Sequence, residues 1–490
     1  MRERAQAVDP QIKQRRERLP PGHFHYYATC HPGLEAVVAA ELAGRSIGAA
    51  NIHPGKAGVS FTGDLSVGYR ANMWLRAAIR VLQLLGETLL DPRRPAGEEV
   101  YAAFREGAPW PRLLAPGQTF SVESRVWSCS NLSSSQLLSV RAKDAVCDAI
   151  RDARGTKPLP PDTGRVADLP LYCTAYHDRL SIYRDMSGAS LHRRGYRQAM
   201  HRASLNEAAA AGILQLAGWH QACRQEGAVL SDPMCGSGTF LIEAALMATD
   251  VAPGSFRRWW PFTQWLDYDR EAWRQVVEAA AAGRHAPPSG VEVWGNDVHQ
   301  GALSLALRDV QASGMQRMVR LHHGECRAWA LPRPPTLVVA NPPWGQRLLG
   351  GDSGEGGGYD SGSSGGEGGG DANLDWWDQP EGGAAGGQRQ QGPGRGGARE
   401  GRAAEAALAD TWWDLSAFLK QQCAGASAFL LSGNPEATRG LRMKASRRMP
   451  VTIGGVDCRL LQYSIRGIEE PTAADARSEK RPAADEARVQ

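Results

Sequence analysis

The 490-residue sequence lacks any run of about 18 apolar residues, so no transmembrane helix is expected. It also lacks a cysteine framework. Its nine cysteines form no CxxC pair and their number is odd, which argues against both structural disulfides and a zinc site. No metal is expected, and the simplest setting is a reducing, intracellular one: the cytoplasm first, an organelle as the alternative. The first twenty residues carry Glu3, Asp9 and Glu17 and no apolar stretch. That pattern is unlike a secretory leader, and its acids are unlike a transit peptide. Charge of one sign is barely in excess. With 56 Lys+Arg against 52 Asp+Glu the net is +4, so any basic surface must be local. What is present supports a packed fold: 42% hydrophobic and 22% charged residues exclude wholesale disorder. The length predicts two to four domains of roughly 100–200 residues.

Glycine is concentrated in one place. Residues 350–401 hold 21 of the 56 glycines, with acids at the start and arginines, including one Arg-Gly-Gly, at the end. Such a segment cannot bury enough apolar surface to offset chain entropy, so 350–405 is predicted to be a disordered insert. Residues 1–23 and 467–490 are predicted to be unstructured termini.

Residues 24–185 mix strand-like and helical runs without parallel-sheet regularity, which predicts an α+β region. Strands are expected at Phe24–Cys30, Val59–Phe61 and Thr119–Val126, with a hairpin turning at His177-Asp178. Helices are expected at Gly33–Leu42, Tyr69–Leu85 and Ser135–Arg151. Residues 186–349 and 406–466 instead alternate strands with Gly-rich turns and helices. That pattern predicts an α/β, doubly wound parallel sheet, whose ligands bind beyond the carboxyl ends of the strands.

The turns after those strands carry the chemistry. Asp232-Pro233-Met234-Cys235-Gly236-Ser237-Gly238-Thr239 follows the first strand. Gly236 and Gly238 let backbone approach a ligand, and the helix that follows offers free amides. The loop has neither a Walker ending nor a GxGxxG, so a nucleoside triphosphate or dinucleotide is disfavoured; a plain tight turn is the other reading. Asp297 ends the next strand, where an acid can hold ribose hydroxyls or cap the following helix. Glu325 lies after the third strand, either as an acceptor for an adenine amine or as a solvated acid. His322 and His323 are read as structural. The fourth strand runs into Asn341-Pro342-Pro343-Trp344. Two prolines fix the backbone, Asn341 presents an amide oxygen to an exocyclic amine, and Trp344 offers a stacking face. A base inside a duplex would first have to be flipped out. Arg193, Arg194, Arg197 and Arg202 sit in an eleven-residue stretch without an acid. This is read as a phosphate-contacting stripe, or else as a solvated connector.

Taken jointly, Asp232–Gly238 and Asn341–Trp344 resemble the class I S-adenosyl-methionine-dependent methyltransferases that modify nucleobase amines. Asp185–Gly188, Leu191–Arg197 and Asp232–Ala245 narrow the likeness to the THUMP-domain RNA guanine-N2 methyltransferases, and within them to the bacterial large-subunit rRNA enzymes. Ala28–Cys30, Gly33–Glu35 and Tyr69–Arg76 are similar too. The resemblance implies a Rossmann-like methyltransferase domain preceded by a ferredoxin-like and THUMP region that binds RNA. It implies S-adenosyl-methionine as cofactor, held by Asp232, Met234, Cys235, Gly236, Gly238, Thr239, Asp297 and Glu325. The target amine would lie at Asn341–Trp344. Relatives tend to have Tyr where Trp344 stands and Lys where Asn206 stands. The expected substrate is rRNA, with tRNA, a DNA amino group, and non-catalytic RNA binding as the competing readings.

Overall fold

The computed structural model describes residues 19–162, 165–197, 205–345 and 397–466, with only the backbone of 397–406. The expectations for 1–18, 350–396 and 467–490, and for Arg202, fall outside the described residues. The helix Gly397–Gln422 begins within the stretch expected to be unstructured, because residues 397–405 are mostly Ala, Arg and Glu, good helix formers.

The amino-terminal part starts as β1 (Phe24–Cys30), α1 (Glu35–Ala43), β2 (Ala50–Pro54), β3 (Gly58–Gly63), α2 (Leu65–Trp74) and β4 (Ala78–Leu89). Then follow α3 (Ala96–Gly107), α4 (Trp110–Leu113), β5 (Phe120–Trp127), α5 (Ser135–Arg154), β6 (Leu169–Tyr176) and β7 (Arg179–Asp185). All seven strands form one sheet, in the order β2-β3-β1-β4-β7-β6-β5. The β4–β7 pair joins the first unit, βαββαβ, to the strands β5–β7 that follow, so the region is continuous. The β6–β7 hairpin turns on His177 and Asp178, both at positive φ (48° and 60°), as a two-residue turn between right-twisted strands requires.

The helix expected over 69–85 is a correction. The helix stops at Trp74, and Ile79, Val81 and Leu82 belong to β4. Helical spacing at Leu75, Ile79 and Leu82 was coincidental, because both faces of the inner part of this strand are covered and period-two alternation is lost.

The second part contains α6 (Glu207–Leu216), α7 (Trp219–Ala222), β8 (Val229–Asp232), α8 (Thr239–Ala248), α9 (Arg270–Ala282), β9 (Glu292–Asp297) and α10 (Gln300–Ala312). It continues with β10 (Val319–His323), β11 (Leu337–Ala340), α11 (Gly397–Gln422), β12 (Ser427–Ser432), β13 (Arg447–Ile453) and β14 (Val456–Ser464). Strand order is β10-β9-β8-β11-β12-β14-β13. The first five strands are parallel, while β14 runs antiparallel to both β12 and β13. Progression reverses between β8 and β11, which makes that crevice the topological switch point. Every residue of β8 and β11 is buried, as a central parallel strand requires.

The Trp-rich stretch joins the two parts. Phe262, Tyr268 and Trp273 surround Tyr69 of α2, whose ring lies 4.7 Å from Phe262, and Trp260 packs on Phe262 and Trp273. The Tyr69 hydroxyl accepts a hydrogen bond from the Asp269 amide at 3.1 Å. Arg184 of β7 reaches across to Asp267 and stacks over Trp265.

Candidate active site

The sheet brings the ends of β8, β9, β10 and β11 to one rim. β11 pairs directly with β8, Val338 opposite Ser231, so the loop that starts at Asn341 and the turn that starts at Asp232 leave the ends of adjacent strands. Residues 109 apart in sequence are therefore neighbours at the switch point.

The Gly-rich turn is held from its own side and from β9. The Asp232 carboxylate accepts from the Met234 amide at 3.1 Å, and Cys235 N donates to Asn296 O at 2.9 Å. Asp297 Oδ2 accepts from Gly236 N and its Oδ1 from His299 N, each at 2.8 Å. A carboxylate has about four acceptor sites, so Asp297 retains capacity for hydroxyl donors. Gly236 has φ of 53°, and a Cβ placed there would meet no protein atom within 4 Å. Its outward side is open space. Gly295, beneath the turn, is glycine for the opposite reason: a Cβ there would come within 2.2 Å of Leu241. Asp232 is fully buried, and burial pushes its carboxyl well above the usual range, with nearby Asp297 adding to the effect. The same burial, reinforced by those two acids, raises the Cys235 thiol. Thr239 is buried and spends its hydroxyl on Leu205 O and the Arg197 guanidinium. Glu325 is exposed beyond β10.

The Asn-Pro-Pro-Trp loop is clamped from the far side of the insert. Trp412 Nε1 donates to Pro343 O at 2.9 Å, Asn434 Nδ2 to Trp344 O at 3.0 Å, and Trp344 Nε1 to Leu431 O at 3.0 Å. Trp344 is only 8% exposed and its ring packs against Gly433. The expectation of an open stacking face is corrected: the indole is turned inward, where its N–H finds a carbonyl, and it anchors the loop. Asn341 is half-buried, and its Oδ1 is buried without a hydrogen-bond partner among the described residues. Leaving such an acceptor unsatisfied costs about 1–3 kcal/mol. A ligand N–H would remove that cost.

The expected arginine stripe is corrected in the same way. Of its three described arginines, Arg193, Arg194 and Arg197, only Arg193 is exposed. Arg194 is buried against Glu243, with Nε–Oε1 at 3.3 Å, and it also donates to the carbonyls of Leu191 and Arg76. Arg197 lies 3.3 Å from Glu207. These cations balance buried acids and do not face solvent. Asn206 caps α6 through the Ala209 amide at 2.7 Å.

Sequence reasoning missed three residues of this site. Asn296 donates to Pro233 O and Gly324 O and pairs with His322, tying three strand ends together. A buried Asn beside Asp297 was the available signal. Trp412 and Asn434 lie beyond the insert, and nothing local ties them to the loop.

A five-strand parallel run with an antiparallel strand inserted, a Gly turn after the first strand and an acid after the second define the class I methyltransferase fold. Comparison with known proteins gives similarities over both parts of the chain. Residues 194–355 match the RMKL-like methyltransferase domain, and residues 25–82 the RlmL ferredoxin-like domain. Over those residues the chain is similar to both family models. The ribosomal RNA large subunit methyltransferase K/L of Magnetococcus marinus is 36% identical over 66% of this chain and 44% of its own length. The chain thus spans less than half of that relative. A Synechocystis protein provisionally named as an RNA methyltransferase is 29% identical, covering 90% of this chain and 96% of that one. Among solved structures, SMU.472 complexed with SAH aligns with a TM-score of 0.69 at 21% identity, over 92% of this chain and all of that one. No metal-binding cluster and no helix long and apolar enough to cross a membrane occur among the described residues.

Proposed function

We propose that the chain is an S-adenosyl-methionine-dependent RNA methyltransferase acting on the exocyclic N2 amine of a guanosine in large-subunit rRNA. The observation that carries the reading is Asn341 Oδ1, buried and without a hydrogen-bond partner among the described residues, in the loop that leaves the strand next to the one that leads into the Gly236 turn. An entering amine would supply the donor that it lacks. The residues fit the donor: Gly236 opens onto free space, Asp297 has acceptor capacity for ribose hydroxyls, and Asp232 anchors the turn between them. When bound, that donor supplies a sulfonium-linked methyl group open to in-line displacement by nitrogen.

The chain's own part is to position. A guanine amine is a weak nucleophile because its lone pair is delocalised into the ring. Accepting one of its N–H bonds at Asn341 Oδ1 turns the amine and holds it in line. Pro342 and Pro343 fix the backbone, so this geometry exists before the base arrives. Trp412 and Asn434 keep the loop from relaxing. The unit formed by β5, β6 and β7 would serve as the THUMP-like RNA-binding part. The names of the relatives favour rRNA; the same chemistry on tRNA is the second reading.

The test is methyl transfer from labelled donor to separated rRNA and tRNA, followed by nucleoside analysis, with Asn341→Ala in parallel. Labelled N2-methylguanosine in rRNA, lost in the variant while donor binding persists, is expected. Transfer to neither RNA, together with absent donor binding, would refute the enzyme.

A further inference from the structure

The chain's small positive charge is unevenly placed. Residues 437–466 carry seven cations, Arg439, Arg442, Lys444, Arg447, Arg448, Arg459 and Arg466, and one acid, Asp457. Their net charge is +6 against +4 for the whole chain, so all the rest sums to −2. All seven cations are exposed. Only Arg439 has an acidic partner, Glu436 at 2.5 Å; the other six make no ion pair among the described residues. Asp457 is occupied by the Thr452 hydroxyl at 3.0 Å.

These cations lie beside the candidate active site. Ala340, the last residue before Asn341, pairs with Leu430, which pairs with Leu461, which pairs with Arg448. Arg448 is therefore level with the root of the loop and three strands away, about 14 Å. Arg459 pairs with Ser432 on β12 and with Pro450 on β13. It is two strands, roughly 10 Å, from the loop. Register places Arg448 and Arg459 diagonally on one face of the β13–β14 hairpin. Arg442 and Lys444 continue the strip in the segment between the loop's Asn434 brace and β13.

We propose that this edge of the catalytic sheet binds the phosphate backbone of the substrate RNA next to the target nucleotide. The proposal rests on the RNA-methyltransferase reading and extends it to a binding surface on the catalytic domain itself. Two guanidinium groups without ion pairs among the described residues, on backbone about 10–14 Å from the root of the loop, suit phosphates flanking an extruded base. An acidic protein partner is the competing occupant.

The test compares full-length protein with the double variants R448Q/R459Q and R448E/R459E. Donor binding and melting temperature report the fold, because exposed substitutions leave stability within about 0.5 kcal/mol. Binding of rRNA is measured from 50 to 200 mM salt, and methyl transfer is measured at saturating RNA. Two lost phosphate contacts should flatten the slope of log affinity against log salt by roughly 1.4–1.8. Affinity at 0.1 M salt should fall about tenfold or more, further in the Glu than in the Gln variant, with turnover at saturation retained. Unchanged affinity and slope in both variants would overturn the proposal, and would point to a protein partner if the wild type still methylates. A wild type that neither binds nor methylates RNA would overturn the function reading and this surface with it.

Discussion

Arg194→Ala separates the structural placement of the arginines from a nucleic-acid role. The guanidinium and the Glu243 carboxylate have side-chain exposures of 1% and 0%. Removing Arg194 leaves a buried carboxylate whose remaining side-chain partner is the Tyr196 hydroxyl at 3.0 Å, and it frees the carbonyls of Leu191 and Arg76. Breaking one side of a buried pair costs about 3–5 kcal/mol. In a domain of 150–250 residues that lowers the melting temperature by roughly 6–20 °C. Its exposed neighbour provides the control: Arg193→Ala should stay within about 0.5 kcal/mol of wild type. Calorimetry or fluorescence melting of both variants is the assay, with RNA affinity measured well below either transition. Should Arg194→Ala melt with the wild type yet lose RNA affinity, the buried placement, and the argument from it, would be wrong.

Acid should destabilise the protein through two buried histidines. Burial pushes His31 down to about 4 and His192 to about 3, the latter helped by Arg193 and Arg194. Both are therefore neutral when folded but take up a proton on unfolding below about 6.5, so stability is full above that pH and falls as pH drops towards 4. The loss is about 1.4 kcal/mol per pH unit for each, read from denaturation midpoints between pH 7 and 4.5, and His192→Gln should shed about half of that slope. Asn341→Ala should reduce turnover on the order of 10²–10³-fold with donor affinity within about threefold, the magnitude seen when one oriented polar group is removed from a reacting site.

What was legible in the sequence follows from physical range. Short buried strands ending in Gly- or Pro-rich turns announce themselves locally, so β8, β9, β11 and their loops could be read directly. The second sheet's parallel character followed from alternation. The failures share one cause, which is a partner distant in sequence. Arg194 and Arg197 look like a solvated basic run because the acids that bury them, Glu243 and Glu207, lie outside the window. Trp344 looks like a free stacking surface because Leu431 and Gly433, which enclose it, come after the insert. Leu75, Ile79 and Leu82 have helical spacing, and only pairing with β1 and β7 makes the segment from Ala78 a strand.

The same long-range clamps bear on the insert. Gly345 abuts Leu408, where a Cβ on the glycine would lie 2.9 Å from the leucine side chain. Leu408 is eleven residues into α11 from Gly397, about 16 Å along the helix. The chain between Gly345 and Gly397 therefore has roughly that distance to cover, and about five extended residues would reach. A flexible ten-residue Gly/Ser linker averages about 17 Å end to end. Replacing residues 350–395 with such a linker should therefore leave Trp412 and Asn434 in place against the loop. Shortening the connection between Gly345 and Gly397 from 51 residues to 15, about 3.4-fold, lowers the entropic cost of closing it, so stability should rise by roughly 1 kcal/mol. Donor affinity and turnover should stay within about threefold of wild type. A shortened chain that melts normally and binds donor, yet loses more than tenfold in methyl transfer, would show that the replaced residues take part in the reaction and that the clamps alone do not suffice.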